Sequence, residues 1–322
     1  MTTVADAGSA EAPTTATLVG VDLGQSVTDA VIVGSNGGVT AHNGFATRGR
    51  EARTALHDAL AALGAAASGP ALVGVSGGRS ASLDDGGASA RRIVTVSEPE
   101  AIGRGGLELA GLESALVVSC GTGTAMISAR AASAGSDAAY AHVTGTPVGG
   151  GTLRALGGLL LGTRDAEAIA ALAATGDASR VDTTLADVLG AGLGSLPPSA
   201  TAVSLGRLAD DDAELGADRE PDDTLDLAAA QRGGVDRADL AAALVTMVSQ
   251  TIALVAVNAV RAEGLAAVVM VGRVASLPPV RSMLEAVFRV YGLTGTLHVP
   301  PAGAAATALG AALAARARHP AA

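Results

Sequence analysis

Short apolar runs alternate along the chain with glycine-containing turns and with segments in which apolar residues recur at helical spacing. Short runs bounded by turn residues are typical of buried strands, whereas apolar residues three or four positions apart indicate helices. In the first third of the chain the pattern predicts strands at residues 18–21, 27–33, 71–75 and 92–96, turns at 22–26 and 36–38, and helices at 51–63 and 101–110.

The rest of the chain shows the same alternation of strands and helices. It predicts strands at 115–119, 125–129, 142–146 and 267–271, a helix ending at 161, two helices within 164–190 broken at Gly176-Asp177, and helices at 240–260, 279–290 and the C-terminus. A strand meander followed by strand–helix units occurs in both parts, which indicates two related α/β lobes. No sequence repeat is strong enough to establish a duplication.

The uncharged stretch at 240–260 is long enough to cross a membrane. It contains five polar residues that a lipid-facing helix would have to pair internally, namely Thr246, Ser249, Gln250, Thr251 and Asn258. We therefore expect a buried core helix in a soluble, cytoplasmic protein without a membrane partner.

Two further segments have polar compositions. Residues 1–16 lack both arginine and an apolar run, so a disordered tail is expected there rather than a signal peptide. Residues 210–226 carry nine carboxylates and one arginine, which indicates a charged surface loop.

The composition excludes several classes of protein. The 322 residues include no lysine, so all 21 basic residues are arginine. Walker A ATPases, protein kinases and pyridoxal enzymes each need a lysine and are therefore excluded. The net charge of -10 disfavours nucleic acid as a partner. A single cysteine and five scattered histidines provide neither a disulfide framework nor a thiolate or zinc site.

Glycine-rich loops follow apolar strands and provide candidate phosphate sites. The loop Gly121-Thr122-Gly123 fails the dinucleotide fingerprint because Met126 stands at the sixth position and a strand follows. It suits either a phosphate-wrapping loop or a plain hairpin turn. Residues 145–152 mimic Walker A spacing with Gly151 in place of lysine. There the amides of Gly149 to Gly151 either favour an anion or allow close packing.

Carboxylates stand beside two of the predicted turns. Asp22 ends the first strand before Gly24, Gln25 and Ser26, which suits either a metal-bound water beside phosphates or an ordinary turn. Glu98 and Glu100 open a helix, where they act either as a general base for a substrate hydroxyl or as acids that complement the helix dipole. Cys120 lies between apolar residues and is expected to be an inert, buried thiol.

These loops occur in the order found in a known family. The motifs are Gly20-Val-Asp22-Leu-Gly24, Ser76-Gly77-Gly78, Glu98-x-Glu100 with Gly105, the loop at 119–124, the stretch 143–162, Gly176-Asp177, Val181-Asp182 and residues 268–272. Over residues 17–314 the chain resembles the type II (eukaryotic-like, fumble) pantothenate kinases of the acetate and sugar kinase/Hsp70/actin superfamily.

The resemblance implies an α/β fold of two ribonuclease-H-like lobes, similar to actin and the sugar kinases, with a nucleotide cleft between them. We expect the lobes at residues 17–142 and 143–322. The family uses ATP and Mg²⁺, forms homodimers, and phosphorylates the primary hydroxyl of pantothenate in the first step of coenzyme A biosynthesis.

Site residues are carried over position by position. The resemblance implies Glu98 as the catalytic base and Asp22 as the carboxylate on the Mg²⁺ side, acting through water. It implies nucleotide or phosphate contacts at Asp22, Gly24, Gln25, Ser26, Gly121, Thr122, Gly123, Gly149, Gly150, Gly151 and Gly272. On the substrate side it implies Glu98, Thr122, Ala125 and His142.

Four positions of the chain depart from the family pattern. Gln25 replaces a glycine, Asp29 a lysine, Ala125 a hydroxyl residue, and His142 an arginine. Ala125 and His142 leave open a kinase for another hydroxylated acid or a pantothenate analogue. Gln25 and Asp29 leave open a nucleotide-binding regulator with little turnover. An ATPase activator of a radical dehydratase shares the fold but needs cluster cysteines, which Cys120 alone does not supply.

Overall fold

The computed structural model describes residues 17–47, 49–64, 71–80, 83, 91–210 and 235–320. The expected tail at 1–16 and residues 211–226 of the expected charged loop lie outside this part of the chain. Contacts divide the chain into a first unit, Met1–Val96 with Ala311–Ala322, and a second unit, Ser97–Gly310. The lobe boundary expected between residues 142 and 143 falls inside a strand of the second unit that is hydrogen-bonded to its neighbour.

The first unit is built on a five-stranded sheet of order β3-β2-β1-β4-β5. β1, β2 and β3 form an antiparallel meander, and β4 and β5 continue the sheet parallel to β1. Apolar residues of β1 and β4 pack with one face of α1 to form its core. Its elements are β1 (Thr17–Leu23), β2 (Val27–Val33), β3 (Val39–Ala46), α1 (Ala52–Ala62), β4 (Ala71–Ser76) and β5 (Arg91–Thr95).

The second unit contains the remaining elements. In its first part these are α2 (Glu98–Ala110), β6 (Ser114–Cys120), β7 (Thr124–Arg130), β8 (Ala139–Thr146), α3 (Gly150–Leu160) and α4 (Ala166–Ala173). Next come β9 (Thr183–Thr184), α5 (Leu185–Leu189), β10 (Thr201–Val203), α6 (Arg207–Asp210) and α7 (Arg237–Ala262). The last are β11 (Val268–Val271), α8 (Pro278–Val290), β12 (Leu297–His298) and α9 (Ala306–Arg318), of which α9 continues into the first unit.

The sheet of the second unit repeats the topology of the first. Its order is β12-β11-β6-β7-β8, with β6, β7 and β8 antiparallel and β11 and β12 parallel to β6. The strand at 297–298 completes this correspondence and was not predicted from the sequence. Two sheets with the same strand order and directions confirm the expected α/β fold of two related lobes.

The long apolar helix α7 lies in the core of the second unit. Among the described residues it is the one helix long and apolar enough to cross a membrane, and 61% of its most apolar window is buried inside the protein. Leu244, Val248 and Ile252 of this helix are fully buried among residues of β6, α4 and α8. This packing confirms the predicted core helix.

The segment after α4 differs from the two helices predicted within 164–190. The predicted break at Gly176-Asp177 is present. Two contacts with the start of α7 fix it: a Cβ atom on Gly176 would overlap the Ala238 carbonyl, and the Asp177 amide donates to Asp239 Oδ1 at 2.7 Å. Beyond it the chain forms a short 3-10 turn, β9 and α5 instead of a second long helix.

The fully buried Asp182 accounts for this change of path. Its carboxylate accepts hydrogen bonds from the Leu205 amide and the Thr201 hydroxyl, each at 2.8 Å. These bonds hold the 201–205 segment beside β9. The family motif residues 176–182 therefore maintain the fold of this region.

Replacement of Asp182 tests this structural role. Asp182→Ala should lower stability by about 1–3 kcal/mol for each buried donor left unsatisfied. Burial raises the pKa of Asp182, against the lowering effect of its two hydrogen bonds. The stability that the protonated Asp182 side chain contributes is therefore fully present below the unfolded pKa of about 3.9, and it is lost as the pH rises through the folded pKa. Asp182→Asn should match or exceed wild-type stability at pH 7 in thermal unfolding, and Asn and Ala variants of equal, reduced stability would contradict this prediction.

Candidate functional site

Three glycine segments meet at one end of the second sheet. The loop of residues 121–123, which we call the GTG loop, joins β6 to β7. The amide of Gly150 donates to the Gly121 carbonyl at 2.9 Å, and that of Gly151 donates to the Thr122 carbonyl at 2.8 Å. The first turn of α3 therefore lies directly against the GTG loop.

This contact changes the role expected for Gly149 to Gly151. A Cβ atom on Gly149 would stand 2.8 Å from the Thr122 carbonyl oxygen, and one on Gly151 would stand at the same distance. On Gly150 it would meet a methyl group of Val274 at 2.6 Å. In this structure the amides of Gly150 and Gly151 bond to carbonyl groups of the chain, so these glycines serve close packing instead of offering those two amides to an anion.

Gly272, for which the resemblance implies a nucleotide contact, lies beside the same loop. It follows β11 with a φ of +94°, a left-handed conformation that favours glycine. A Cβ atom there would overlap the Cys120 carbonyl just before the GTG loop, and the Gly272 amide donates to the Gly303 carbonyl at 2.9 Å. The end of β11 is therefore fixed beside the loop.

Gly121 and Gly123 differ from these glycines because packing does not require them. Among the described residues, a Cβ atom on Gly121 would meet only the Gly123 carbonyl oxygen, at 3.7 Å. One on Gly123 would stand 3.5 Å from its nearest neighbour, and neither residue has a positive φ. Glycine costs conformational entropy on folding, and its lack of a Cβ atom leaves the backbone open to close approach. The GTG loop thus has space beside its backbone that the described residues of the protein do not fill.

Two of the four substrate-side candidates, Ala125 and His142, lie on one face of the second sheet. Ile127 pairs with His142 and Ala125 pairs with Gly145, while the extra residue Val143 forms a bulge between these pairs. Ile127 belongs to the apolar cluster that packs against α2, and Ala125 lies on its margin. The structure therefore places Ala125 and the exposed His142 on the face of the sheet that α2 covers.

Glu98 and Glu100 occupy the first turn of α2. The helix begins at Glu98, three residues earlier than predicted, because Pro99 is tolerated in a first turn. Glu98 is exposed and Glu100 is half-buried. An exposed carboxylate at this position can accept a proton or a hydrogen bond from a hydroxyl group.

Arg104 and Tyr140 also lie at this site and were not predicted. Arg104 Nη2 is 3.6 Å from Glu100 Oε1, and its guanidinium carbon is 5.5 Å from the centre of the Tyr140 ring. Burial raises the pKa of Tyr140, the Glu100 charge adds to this, and Arg104 opposes it, so Tyr140 remains a neutral phenol at physiological pH. The four-residue spacing of Glu100 and Arg104 was the available sequence signal.

The remaining nucleotide-side candidates belong to the first unit. Gly24 is required by its turn, because a Cβ atom would overlap the Val27 carbonyl, whereas Gln25 is exposed. Arg79 donates to the carbonyls of Gly24 at 3.2 Å and Arg50 at 2.7 Å. The loop after β4 therefore supports the turn at 22–26, which includes the half-buried Ser26.

Asp29, the departure from the family's lysine, is paired within the sheet. It stands opposite Asp22 in the β1–β2 register and is 4% exposed. The Nε2 atom of His42, on β3, lies 2.7 Å from Asp29 Oδ1. The added carboxylate thus has a histidine partner within the sheet.

The remaining expectations concern the Mg²⁺ ligand and the single cysteine. In the part of the chain that the structure describes, no three His, Cys, Asp or Glu side chains are close enough to hold a metal ion together. The assignment of Mg²⁺ to Asp22 through water stays a prediction. Cys120 is 1% exposed and burial raises its pKa to about 12, so the expected inert thiol is confirmed.

A family model identifies the second unit. The model of the Fumble family, the type II pantothenate kinases, matches residues 114–288, which is more than half of the chain. The chain belongs to the Fumble family. The match includes the GTG loop, Ala125, His142, residues 149–151 and Gly272, whereas Glu98 and the turn at 22–26 lie outside it. A search of curated protein sequences finds no significant match.

Solved structures show the fold of this Fumble-family protein. The activator of the 2-hydroxyisocaproyl-CoA dehydratase from Clostridium difficile, with bound ADPNP, has a TM-score of 0.59 at 16% identity and covers 94% of this chain and 95% of its own. A ROK family glucokinase from Streptomyces griseus, in complex with glucose and AMPPNP, has a TM-score of 0.51 at 16% identity, with coverages of 94% and 99%. At these identities the likeness concerns the fold alone.

Family membership supports a kinase-type, ATP-binding enzyme. The dehydratase activator of Clostridium difficile shares the fold of this chain. The thiol of Cys120 is buried and protonated at neutral pH, so this side chain is poorly suited to ligate an iron–sulfur cluster.

Proposed function

We propose that this Fumble-family protein is an ATP-dependent kinase that phosphorylates the primary hydroxyl of pantothenate. The observation that carries the proposal is the GTG loop, in which neither glycine is required by the protein's own packing. Family membership supports the kinase chemistry, and the residues that could contact substrate stand on the sheet face beside the same loop.

In this proposal the GTG loop binds a phosphate group of ATP. The backbone of Gly121 and Gly123 allows close approach, and Thr122 adds a hydroxyl that can donate a hydrogen bond. Bound Mg²⁺ would neutralise phosphate charge, with Asp22 contacting it through water. Because the chain has no lysine, the remaining positive charge at the site must come from arginine or histidine.

Glu98 would orient the substrate hydroxyl and accept its proton. In-line phosphoryl transfer needs mainly positioning and charge stabilisation, and an exposed carboxylate in the first turn of a helix suits this role. A homodimer and a cytoplasmic location belong to the same proposal and rest on the resemblance to the family.

A kinase for another hydroxylated acid is the second candidate function. Ala125 lacks the hydroxyl group that the resemblance implies at its position, and His142 lacks the guanidinium group implied at its own. Both positions lie on the sheet face beside α2. Both changes fall on the substrate side and leave the GTG loop unaltered. They therefore affect the choice of substrate more than the use of a nucleotide.

An ADP-release assay against a panel of hydroxy acids, with pantetheine included, tests the proposal. We expect turnover with pantothenate and none without an acceptor. Turnover confined to a different acid would favour the second candidate. Nucleotide binding without ADP release from any acceptor would contradict the kinase proposal and favour a nucleotide-binding regulator.

A further inference from the structure

We propose that Arg104 supplies the guanidinium that recognises a carboxylate group of the substrate. The inference rests on the proposed kinase function and names a residue that determines its specificity for a carboxylate. The family resemblance implies an arginine just before Val143, and this chain has His142 there. A neutral imidazole cannot form the two parallel hydrogen bonds that a guanidinium gives to a carboxylate.

Arg104 reaches the same region from α2. Tyr140 and His142 are two positions apart on β8, before the bulge, so they lie on the same face of the sheet. A Cβ atom on Gly103 would stand 2.5 Å from Tyr140 Cδ1, which shows how closely the helix approaches this strand. The guanidinium of the next residue, Arg104, lies 5.5 Å from the centre of the Tyr140 ring. Two residues along a strand span about 7 Å, so a substrate group at His142 is within reach of Arg104.

The bonding of Arg104 leaves capacity for a ligand. Its Nε atom is buried and has no hydrogen-bond partner among the described residues. The Nη2–Glu100 contact of 3.6 Å is an ion pair longer than a normal hydrogen bond. The side chain is 26% exposed, so its terminal nitrogens remain accessible. A substrate carboxylate would give the guanidinium charge-assisted hydrogen bonds that the protein does not supply.

Glu100 and Tyr140 hold the guanidinium in place. The Tyr140 ring attracts the cation, and the Glu100 carboxylate attracts it from the preceding turn of the helix. Glu100 also competes with a substrate carboxylate for Arg104. Removal of that competitor should therefore strengthen the binding of an acid without changing the binding of an uncharged analogue.

Steady-state kinetics with two acceptors test the inference. Pantetheine has the same hydroxylated part as pantothenate but carries a neutral amide in place of the carboxylate. Arg104→Gln should raise KM for pantothenate by about 10–100-fold, with kcat changed less than about threefold and KM for pantetheine less than about twofold. Arg104→Lys should recover part of the loss because it restores the charge without the fork. Glu100→Gln should lower KM for pantothenate only.

Arg281→Gln is the matched control, because Arg281 forms an ion pair with Glu285 at the same helical spacing on the exposed face of α8. It should leave both KM values unchanged. An equal rise of both KM values in Arg104→Gln, or a loss confined to kcat, would overturn the inference and leave the kinase proposal standing.

The proposed function fails in a different way, with no ADP released from any acceptor by the wild type. Calorimetric titration with pantothenate then still tests Arg104. Weaker binding in Arg104→Gln than in the wild type supports the carboxylate contact, and equal affinities or no binding overturn it.

Discussion

Replacement of Glu98 by glutamine is expected to lower kcat by about 10²–10⁴-fold while the affinity for ATP changes little. Glutamine has nearly the same size and can still accept a hydrogen bond at its oxygen, but it cannot take the proton of the substrate hydroxyl. Glu98 is exposed in the first turn of α2, and its replacement removes no buried contact. The fold should therefore be preserved, which circular dichroism and thermal unfolding would verify.

Two other variants of α2 complete this experiment. Glu108→Gln changes an exposed carboxylate farther along the helix and should leave kcat unaltered. Near-normal turnover in Glu98→Gln would refute the assignment. If the large loss of kcat then appeared in Glu100→Gln, the base would be Glu100, and the expected fall of KM in that variant would be contradicted as well.

Replacement of Gly121 by alanine should weaken ATP binding by about 10–100-fold in a protein that folds normally. The added methyl group has ordinary van der Waals space within the chain, since its nearest described neighbour is 3.7 Å away. If the GTG loop wraps a phosphate, the same methyl group occupies the space that the phosphate needs and displaces charge-assisted hydrogen bonds, each worth about 1.5–3 kcal/mol. Calorimetry with ATP and thermal unfolding without nucleotide separate the two effects.

Gly149→Ala provides the contrasting variant. Its methyl group would press on the backbone of Thr122 and Gly123, so thermal stability should fall together with ATP affinity. Unchanged ATP affinity in a well-folded Gly121→Ala protein would mean that the loop is only a hairpin turn. The kinase proposal would then lose the observation on which it rests.

The structure confirms what depends on local sequence. Alternating apolar residues and turn residues fix the β1–β2 and β6–β7 hairpins, and the helical periodicity of α1, α7 and α8 is strong enough to be visible without neighbours. The three glycine segments of the second unit were also predictable as a group. Glycines that follow apolar strands mark backbone turns, and in this fold β6 and β11 are parallel neighbours that bring their ends together.

Contacts between segments that are distant in the chain decided the features that the sequence did not predict. The sequence could not show that the amides of Gly150 and Gly151 bond to the GTG loop, because that bond joins residues far apart in the chain. It could not pair Asp29 with His42, which depends on the register of two strands, nor place Arg104 over Tyr140, which depends on how α2 crosses β8. The sequence indicated two related lobes, but the order in which the strands pair within each sheet came only from the structure, because pairing joins residues that are distant in the chain. Local pattern determined most of the elements and the candidate loops of this Fumble-family protein, whereas tertiary packing decided which glycines the fold requires and which it does not, because close contacts form between segments distant in the chain.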